Sequence, residues 1–364
     1  MKIGIVDADL IGRKRHRFPN LACLKISGYY KEQGHDIELL LDYENLKQYD
    51  KVFISKVFTD TEIPNEVLTL DNVEYGGTGF YFDKAPDLPY EIEHHMPDYH
   101  LYDKWVYEQL DKGMKRSEFK EYLDYSIGFV TRGCFRKCKF CVNQKYNKVV
   151  KHSPLKEFYD PTRPKICLLD DNFFGCPQWK EILEELKATG KQIKFKQGLD
   201  ERLLTEEKCE LLCSIKYDSV ITFAFDDIAD YEVIEQKLKM IRKYTNQIFV
   251  FYVLCGFDRS GRYDEEFWKQ DIEDTFKRIK LLMKYKCLPY IMRFEKYQES
   301  PYKGMYITLA RWCNQPSFFK KKSLRKYAND QGENYAPNRY ITYFESKCPE
   351  IAQKYYDMKW DSDK

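Results

Sequence analysis

The sequence predicts an α/β protein: a small doubly wound, Rossmann-like N-terminal domain, then a partial (β/α)6 barrel of the TIM type, then a helical C-terminal tail. Three observations predict it. Through the middle of the chain, short apolar strands alternate with helical patterns of roughly 10–20 residues, the rhythm of parallel β/α units. A separate strand–helix–strand rhythm occupies the first segment. With 43% hydrophobic and 16% aromatic residues, 364 residues suffice for more than one core.

Lys and Arg number 60 against 58 Asp and Glu, a formal net charge of +2. That balance gives no global electrostatic case for nucleic acid or an anionic membrane as partner. Asp7 and Asp9 interrupt the N-terminal apolar run before it reaches signal-peptide length. No stretch approaches the roughly 18 apolar residues of a membrane span. The expected location is the cytoplasm, where thiols stay reduced. The twelve cysteines are therefore read as metal ligands or buried thiols, not disulfides.

Taken in order, strands are expected at 2–6, 35–41 and 51–55, with a helix over 20–33 stopped by Gly34. Gly76-Gly77-Thr78-Gly79 reads as a tight turn, since no strand-to-helix context is evident around it. Residues 85–98, rich in Pro, His and Glu, read as a linker or a surface loop, and a helix follows over about 102–123. Barrel strands are expected at 126–131, 165–169, 193–196, 219–225, 248–254 and 289–294. Amphipathic helices are expected at 179–189, 206–215, 231–244 and 265–285. The expected domains are 1–95, a linker helix within 96–124, a barrel over 125–300 and a helical extension over 301–364. The extension carries the basic run Lys320-Lys321-Lys322-Ser323-Leu324-Arg325-Lys326, ordinarily a solvated helix face and alternatively a contact for nucleic acid.

The chemistry-bearing stretch is Thr131-Arg132-Gly133-Cys134-Phe135-Arg136-Lys137-Cys138-Lys139-Phe140-Cys141. Cysteines spaced x3 and then x2 can converge from one short loop. A cubane cluster needs four ligands, so three thiolates leave one iron open, whereas structural zinc closes with a fourth protein ligand. The loop follows the first barrel strand, at the end where barrel active sites lie. Arg132, Arg136, Lys137 and Lys139 add positive charge, which favours thiolate. The rival readings are a zinc knuckle completed by His152 or Cys167, in a non-catalytic binding protein, and inert core thiols.

This loop resembles the signature of the radical S-adenosylmethionine (AdoMet) enzymes, with Cys134, Cys138 and Cys141 at the ligand positions and Phe140 at the aromatic position before the last. The resemblance implies a [4Fe-4S] cluster whose open iron takes the AdoMet amino and carboxylate groups. Reductive cleavage then gives a 5′-deoxyadenosyl radical. It also implies an oxidoreductase or transferase, an unidentified substrate and an electron donor such as flavodoxin or ferredoxin. Phe140 would give backbone contacts to adenine. Asp170, Asp171 and Asn172 stand where the family often has Gly-Gly-Glu for the AdoMet amino group. Gln197, Asp200, Arg202 and Asp226 lie at later strand tips, suited to the carboxylate, ribose or substrate. Leu254 and Gly256 match the stretch that packs on adenine.

The wider layout resembles the subgroup with a cobalamin-binding-like N-terminal domain. His16 and His35 do not sit in an Asp-x-His-x-x-Gly motif, which argues against cobalamin as a cofactor, with cobalamin-type methyl transfer kept as the alternative activity. Cys23 stands alone before Cys134, which argues against a methylthiotransferase with a second cluster. Cys209 and Cys213, four apart on an expected helix, read as core packing rather than auxiliary cluster ligands.

Overall fold

The computed structural model describes residues 1–14, 16–330 and 332–360. The chain forms two compact units, Met1–Lys196 and Gln197–Lys364, so the division falls inside the span expected to form the barrel.

The first unit opens with β1 (Lys2–Asp7), α1 (Leu21–Glu32), β2 (Asp36–Leu40), β3 (Lys51–Ser55) and β4 (Val73–Gly76). The strands are all parallel, in the order β2–β1–β3–β4. Both faces of the sheet are covered, as parallel sheets require. Ile3, Ile5 and Phe53 pack with Cys23 and Ile26 of α1 on one side. Val6, Val52 and Ile54 pack with Leu40, Leu46 and Val67 on the other. Helix α1 begins where Asn20 accepts the N–H groups of Ala22 and Cys23 on its side-chain oxygen.

Strand β4 was not foreseen. Val-Glu-Tyr-Gly is four residues long and partly exposed, too short a run to establish a period-2 signal. The expectation for the glycine run is corrected accordingly, because Gly76 ends a strand and Thr78–Tyr81 form one helical turn. A single turn is too short to make a phosphate-binding terminus. Glycine is needed at Gly77, where φ is 110° and a Cβ would press on the Lys56 carbonyl.

Three further expectations shift. The helix over 102–123 shrinks to α2 (Asp103–Asp111), ended by Gly113 at φ 89°, with only short turns after it. Residues 85–98 are partly a buried strap rather than a loose linker. Ile92 is buried, and Glu93 takes Lys25 Nζ at 3.2 Å and His152 Nε2 at 2.9 Å. The first barrel strand breaks into β5 (Tyr125–Gly128) and β6 (Thr131–Arg132), and β6 pairs antiparallel with β7 (Val150–Lys151). Then come β8 (Lys165–Leu168), α3 (Trp179–Ala188) and β9 (Gln192–Phe195), giving a parallel sheet β5–β8–β9.

The second unit contains α4 (Glu206–Ser214), β10 (Thr222–Ala224), α5 (Tyr231–Ile241), β11 (Phe249–Cys255), α6 (Glu265–Lys284) and β12 (Cys287–Arg293). Its parallel sheet runs β10–β11–β12. Strand β10 is shorter than expected because Ser219 adopts φ 70°, outside the extended region. The tail is helical, as α7 (Lys303–Cys313), α8 (Leu324–Asn329), α9 (Ala336–Lys347) and α10 (Pro349–Tyr355). The α/β class, the parallel sheets and the helical tail are thus observed. No described helix is long and apolar enough to cross a membrane.

Candidate cluster site

The antiparallel pair β6/β7 closes the base of the loop that carries Cys134, Cys138 and Cys141. Within the loop, Cys141 N–H donates to Cys138 O at 2.9 Å, the turn that brings the last two cysteines onto one bend. Gln144 ties that bend by donating from its side chain to the carbonyls of Cys138 and Cys141, the latter at 2.9 Å. Lys137 donates to Gln144 O at 2.6 Å and to Tyr146 O, so its ammonium braces the loop. Sequence reasoning missed Gln144 because a lone amide in a loop has no period or spacing to betray it.

Two of the sulfurs accept backbone N–H bonds, the contact that stabilises thiolate ligands. Cys134 Sγ accepts from Arg136 N at 3.3 Å and from Asn172 Nδ2 at 3.5 Å, and Cys141 Sγ from Asn143 N at 3.5 Å. These three cysteines are half-buried, while Cys23, Cys167, Cys176, Cys209, Cys255, Cys287, Cys313 and Cys348 are buried. Burial pushes the Cys209 and Cys287 thiols up to about 12 and the Cys213 thiol to about 11, which keeps them protonated. Cys167 belongs to the core around Tyr125 and Ile127, and His152 is engaged by Glu93. Among the described residues, no three or more His, Cys, Asp or Glu side chains are gathered to hold a metal ion. The donor set fits an iron–sulfur cluster in chemistry and accessibility, as three half-buried thiols carried on one loop.

The tip of β8 is fastened to this loop. Asp170 is fully buried and accepts from the Thr131 N–H at 2.6 Å, from the Thr131 hydroxyl and from Val130 N at 3.3 Å. Burial raises its carboxyl to about 7, against the lowering effect of those hydrogen bonds. Asp171 accepts from Gly133 N at 2.9 Å and from Asn143 Nδ2 at 2.7 Å, so it spans the cysteine loop from its start to its end. Asn172 reaches Cys134, as above. Phe140 is half-buried between the second and third cysteines. The structure therefore brings Asp170, Asp171 and Asn172 together with the cysteine loop through named bonds.

The other residues singled out in the sequence lie in the second unit. Gln197 is exposed at its start. Arg202 donates to Asp200 at 2.7 Å and to Asp230 at 2.7 Å, forming an ion-pair triad. Between them Glu201 is fully buried, and desolvation drives its carboxyl well above the usual range. Asp226 and Leu254 end adjacent strands, and one side chain fixes both tips. Arg278 of α6, itself buried, donates to the carbonyls of Phe225, Asp226 and Leu254 at 3.0, 3.0 and 2.8 Å. Burial raises Asp226 to about 6, with the Arg278 charge opposing. Gly256 N donates to Asp271 at 2.8 Å, and Asp271 also takes the Tyr306 hydroxyl at 2.7 Å. Arg278 and Asp271 were missed, since both sit inside a helix whose pattern marks only its apolar face.

In the tail, two residues of the basic run are engaged in ion pairs. Lys322 pairs with Asp330, and Arg325 with Glu345 at 3.0 Å and Asp357 at 3.1 Å.

No family model matches the chain, and no curated protein matches it. Among solved structures, the chain is similar to radical enzymes that use AdoMet. Two are structures of the cobalamin-dependent S-adenosylmethionine radical enzyme OxsB. One, with aqua-cobalamin and AdoMet bound, matches at 14% identity and a TM-score of 0.37, covering 98% of this chain and 57% of its own. The other, apo and selenomethionine-labelled, matches at 15% identity and 0.39, covering 98% and 56%. The chain therefore spans a little over half the length of these structures. The expectation against cobalamin is corrected here, because both similar structures are of an enzyme named as cobalamin-dependent. A motif histidine supplies only one axial ligand of cobalt, so its absence does not exclude the corrin.

Proposed function

We propose that this chain is a radical AdoMet enzyme, with Cys134, Cys138 and Cys141 holding a [4Fe-4S] cluster and AdoMet completing it. The observation that carries the reading is the loop itself. It carries three half-buried thiols, those of Cys134 and Cys141 accepting backbone N–H bonds, while eight other cysteines are buried in packing. When bound there, the cluster supplies the electron that cleaves AdoMet to a 5′-deoxyadenosyl radical for hydrogen abstraction from a substrate. The chain's own residues orient and exclude. Asp170 and Asp171 fix the loop's entry and exit, Gln144 and Lys137 hold its bend, and Asn172 supports Cys134. Asp200, Arg202, Asp226, Leu254 and Gly256 are assigned to AdoMet or substrate. Arg278 and Asp271 support the last three.

The test is anaerobic reconstitution, addition of dithionite and AdoMet, and chromatography for 5′-deoxyadenosine. The wild type should form it and Cys138→Ala should not. A cluster-loaded protein that never cleaves AdoMet, with or without candidate substrates, contradicts the reading.

Cobalamin-type methyl transfer is the second reading, supported by the parallel β2–β1–β3–β4 sheet at the N-terminus. Doubly wound sheets bind ligands where strand order reverses, here between β1 and β3. A titration with hydroxocobalamin, followed by its visible spectrum, decides it. A shifted, saturable spectrum favours this reading, and an unshifted one removes it.

A further inference from the structure

The segment from 129 to 152 holds seven Lys or Arg residues and no Asp or Glu, in a chain whose formal net charge is only +2. Three of those charges are engaged locally. Lys145 pairs with Asp87 at 2.6 Å, Arg132 lies 3.8 Å from Glu93, and Lys137 binds backbone carbonyls. Lys148 and Lys151 are exposed and have no ion-pair partner among the described residues. Both line an open groove of about 650 Å³, together with Phe135, Asn147, Val150 and Gln178, and no carboxylate contributes to the lining. Phe135 is 39% exposed, with the Arg136 guanidinium 5.1 Å from its ring centre. Asn147 and Gln178 are exposed and carry amides into the same lining. Gln178 Oε1 accepts from Cys176 Sγ at 3.4 Å, and its NH2 group remains a donor. The wall reaches the cysteine loop directly, since Phe135 follows Cys134 and a Cβ on Gly175 would lie 2.9 Å from the Phe135 ring.

Each part of an unpaired nucleotide strand has a counterpart in that lining. An exposed ring offers a face on which a base stacks, and two amides offer donors and acceptors for base edges. Two unneutralised ammonium groups suit the phosphates, and their attraction is local because the rest of the chain is nearly neutral. A duplex hides its base faces, so a ring and amides favour a single strand. Loops and bulges with splayed bases are an ordinary form of RNA, whereas DNA is ordinarily paired. We propose that this groove binds single-stranded RNA and that RNA is the substrate class of the site on the Cys134 loop. The substrate half rests on the radical AdoMet reading, and the binding half stands without it. Phe135 stacks a base, Asn147 and Gln178 bond base edges, and Lys148 and Lys151 hold the flanking phosphates. A strand lying in the groove is thereby held next to the cysteine loop.

The experiment uses the full chain, reconstituted, and a fluorescein-labelled mixed-sequence RNA 20-mer whose anisotropy is followed across a salt series. The same sequence as single-stranded DNA and as duplex RNA provides the comparison arms. The wild type should bind the single-stranded RNA most tightly, with affinity falling steeply as salt rises. In Lys148→Gln/Lys151→Gln the slope of log affinity against log salt should flatten by about 1.4, two phosphate contacts at roughly 0.7 each for a single strand. Phe135→Leu keeps the apolar contact with Gly175 and should weaken binding about tenfold at every salt, leaving the slope unchanged. Circular dichroism and iron content checked in each variant separate these effects from misfolding. No binding by the wild type overturns the proposal, as does an unchanged slope in the double lysine variant or tighter binding of the DNA strand. In parallel, 5′-deoxyadenosine formation with dithionite is followed with and without total cellular RNA. RNA should raise it severalfold in the wild type and much less in the double lysine variant. RNA that binds in the groove and leaves 5′-deoxyadenosine formation unchanged overturns the substrate assignment. Absence of 5′-deoxyadenosine under every condition counts against the radical AdoMet reading instead, and the anisotropy series still decides the RNA site.

Discussion

Asp170, at the end of β8, accepts a hydrogen bond from the backbone N–H of Thr131, 2.6 Å away on β6. That bond ties a strand tip to the strand that launches the cysteine loop, and it makes a buried carboxyl part of the loop's foundation. Its raised value, about 7, comes from burial and lies above the usual unfolded value near 4. The folded state therefore holds an extra proton between those values. Stability from this group is fully present below about pH 4 and is lost as pH rises towards 7. Asp170→Asn keeps an oxygen for Thr131 and removes the charge. Urea unfolding midpoints should show the variant gaining relative to wild type at pH 8 and gaining little at pH 4. An identical difference at both pH values would show that Asp170 does not titrate in this range.

Glu93 makes the opposite prediction. Burial alone would raise it, but the His152 hydrogen bond and the Lys25 and Arg132 charges outweigh burial and hold it at about 2. Its contribution is present above the unfolded value near 4.3 and is lost as pH falls towards 2. Glu93→Gln should cost about 3 kcal/mol at pH 7, because Lys25 is left buried without its counter-charge. Adding Lys25→Met should restore much of that loss. Additive destabilisation in the double variant would show that the pair is not coupled.

Gly133 adopts φ 98°, and a Cβ there would press on the Lys148 carbonyl and the Tyr146 side chain. Gly133→Ala should leave far-ultraviolet circular dichroism near wild type, since the strain is confined to the loop. Iron retained after reconstitution and desalting should fall severalfold. Wild-type iron content in this variant would mean the loop conformation is not needed to hold metal.

Arg278→Met removes the donor from three strand-tip carbonyls at once. The expected loss is about 2–4 kcal/mol in chemical unfolding, with AdoMet affinity falling more than in an equally destabilised variant remote from the strand tips. Equal affinity losses in the two variants would reduce Arg278 to a purely structural role.

Much of the fold was legible. Strand β3 followed from its continuous apolar run, buried on both faces, and the starts of α3, α5 and α6 from helical spacing, because each buries one face. Strand β4 and the β6/β7 pair were not, since four and two residues are too few to show a period. The cysteine loop stood out because three ligand-type residues at fixed spacing are a chemical signal. The residues that brace it are ordinary polar groups whose meaning appears only in space. Gln144 and Thr131 could not be read before the chain folded, and neither could the inward turn of Asp170. Arg278 and Asp271 lie in α6, where helical periodicity marks Ile272, Phe276 and Ile279 and is silent about buried charge.

Low-temperature electron paramagnetic resonance of the anaerobically reconstituted, dithionite-reduced protein, recorded with and without AdoMet, tests the central claim most directly. The account predicts the signal of a reduced [4Fe-4S] cluster, with about four irons per chain. Its g-values should shift when AdoMet is added, and the signal should be absent in Cys138→Ala. A colourless protein with one zinc, or a cluster signal that AdoMet leaves unchanged, would contradict it.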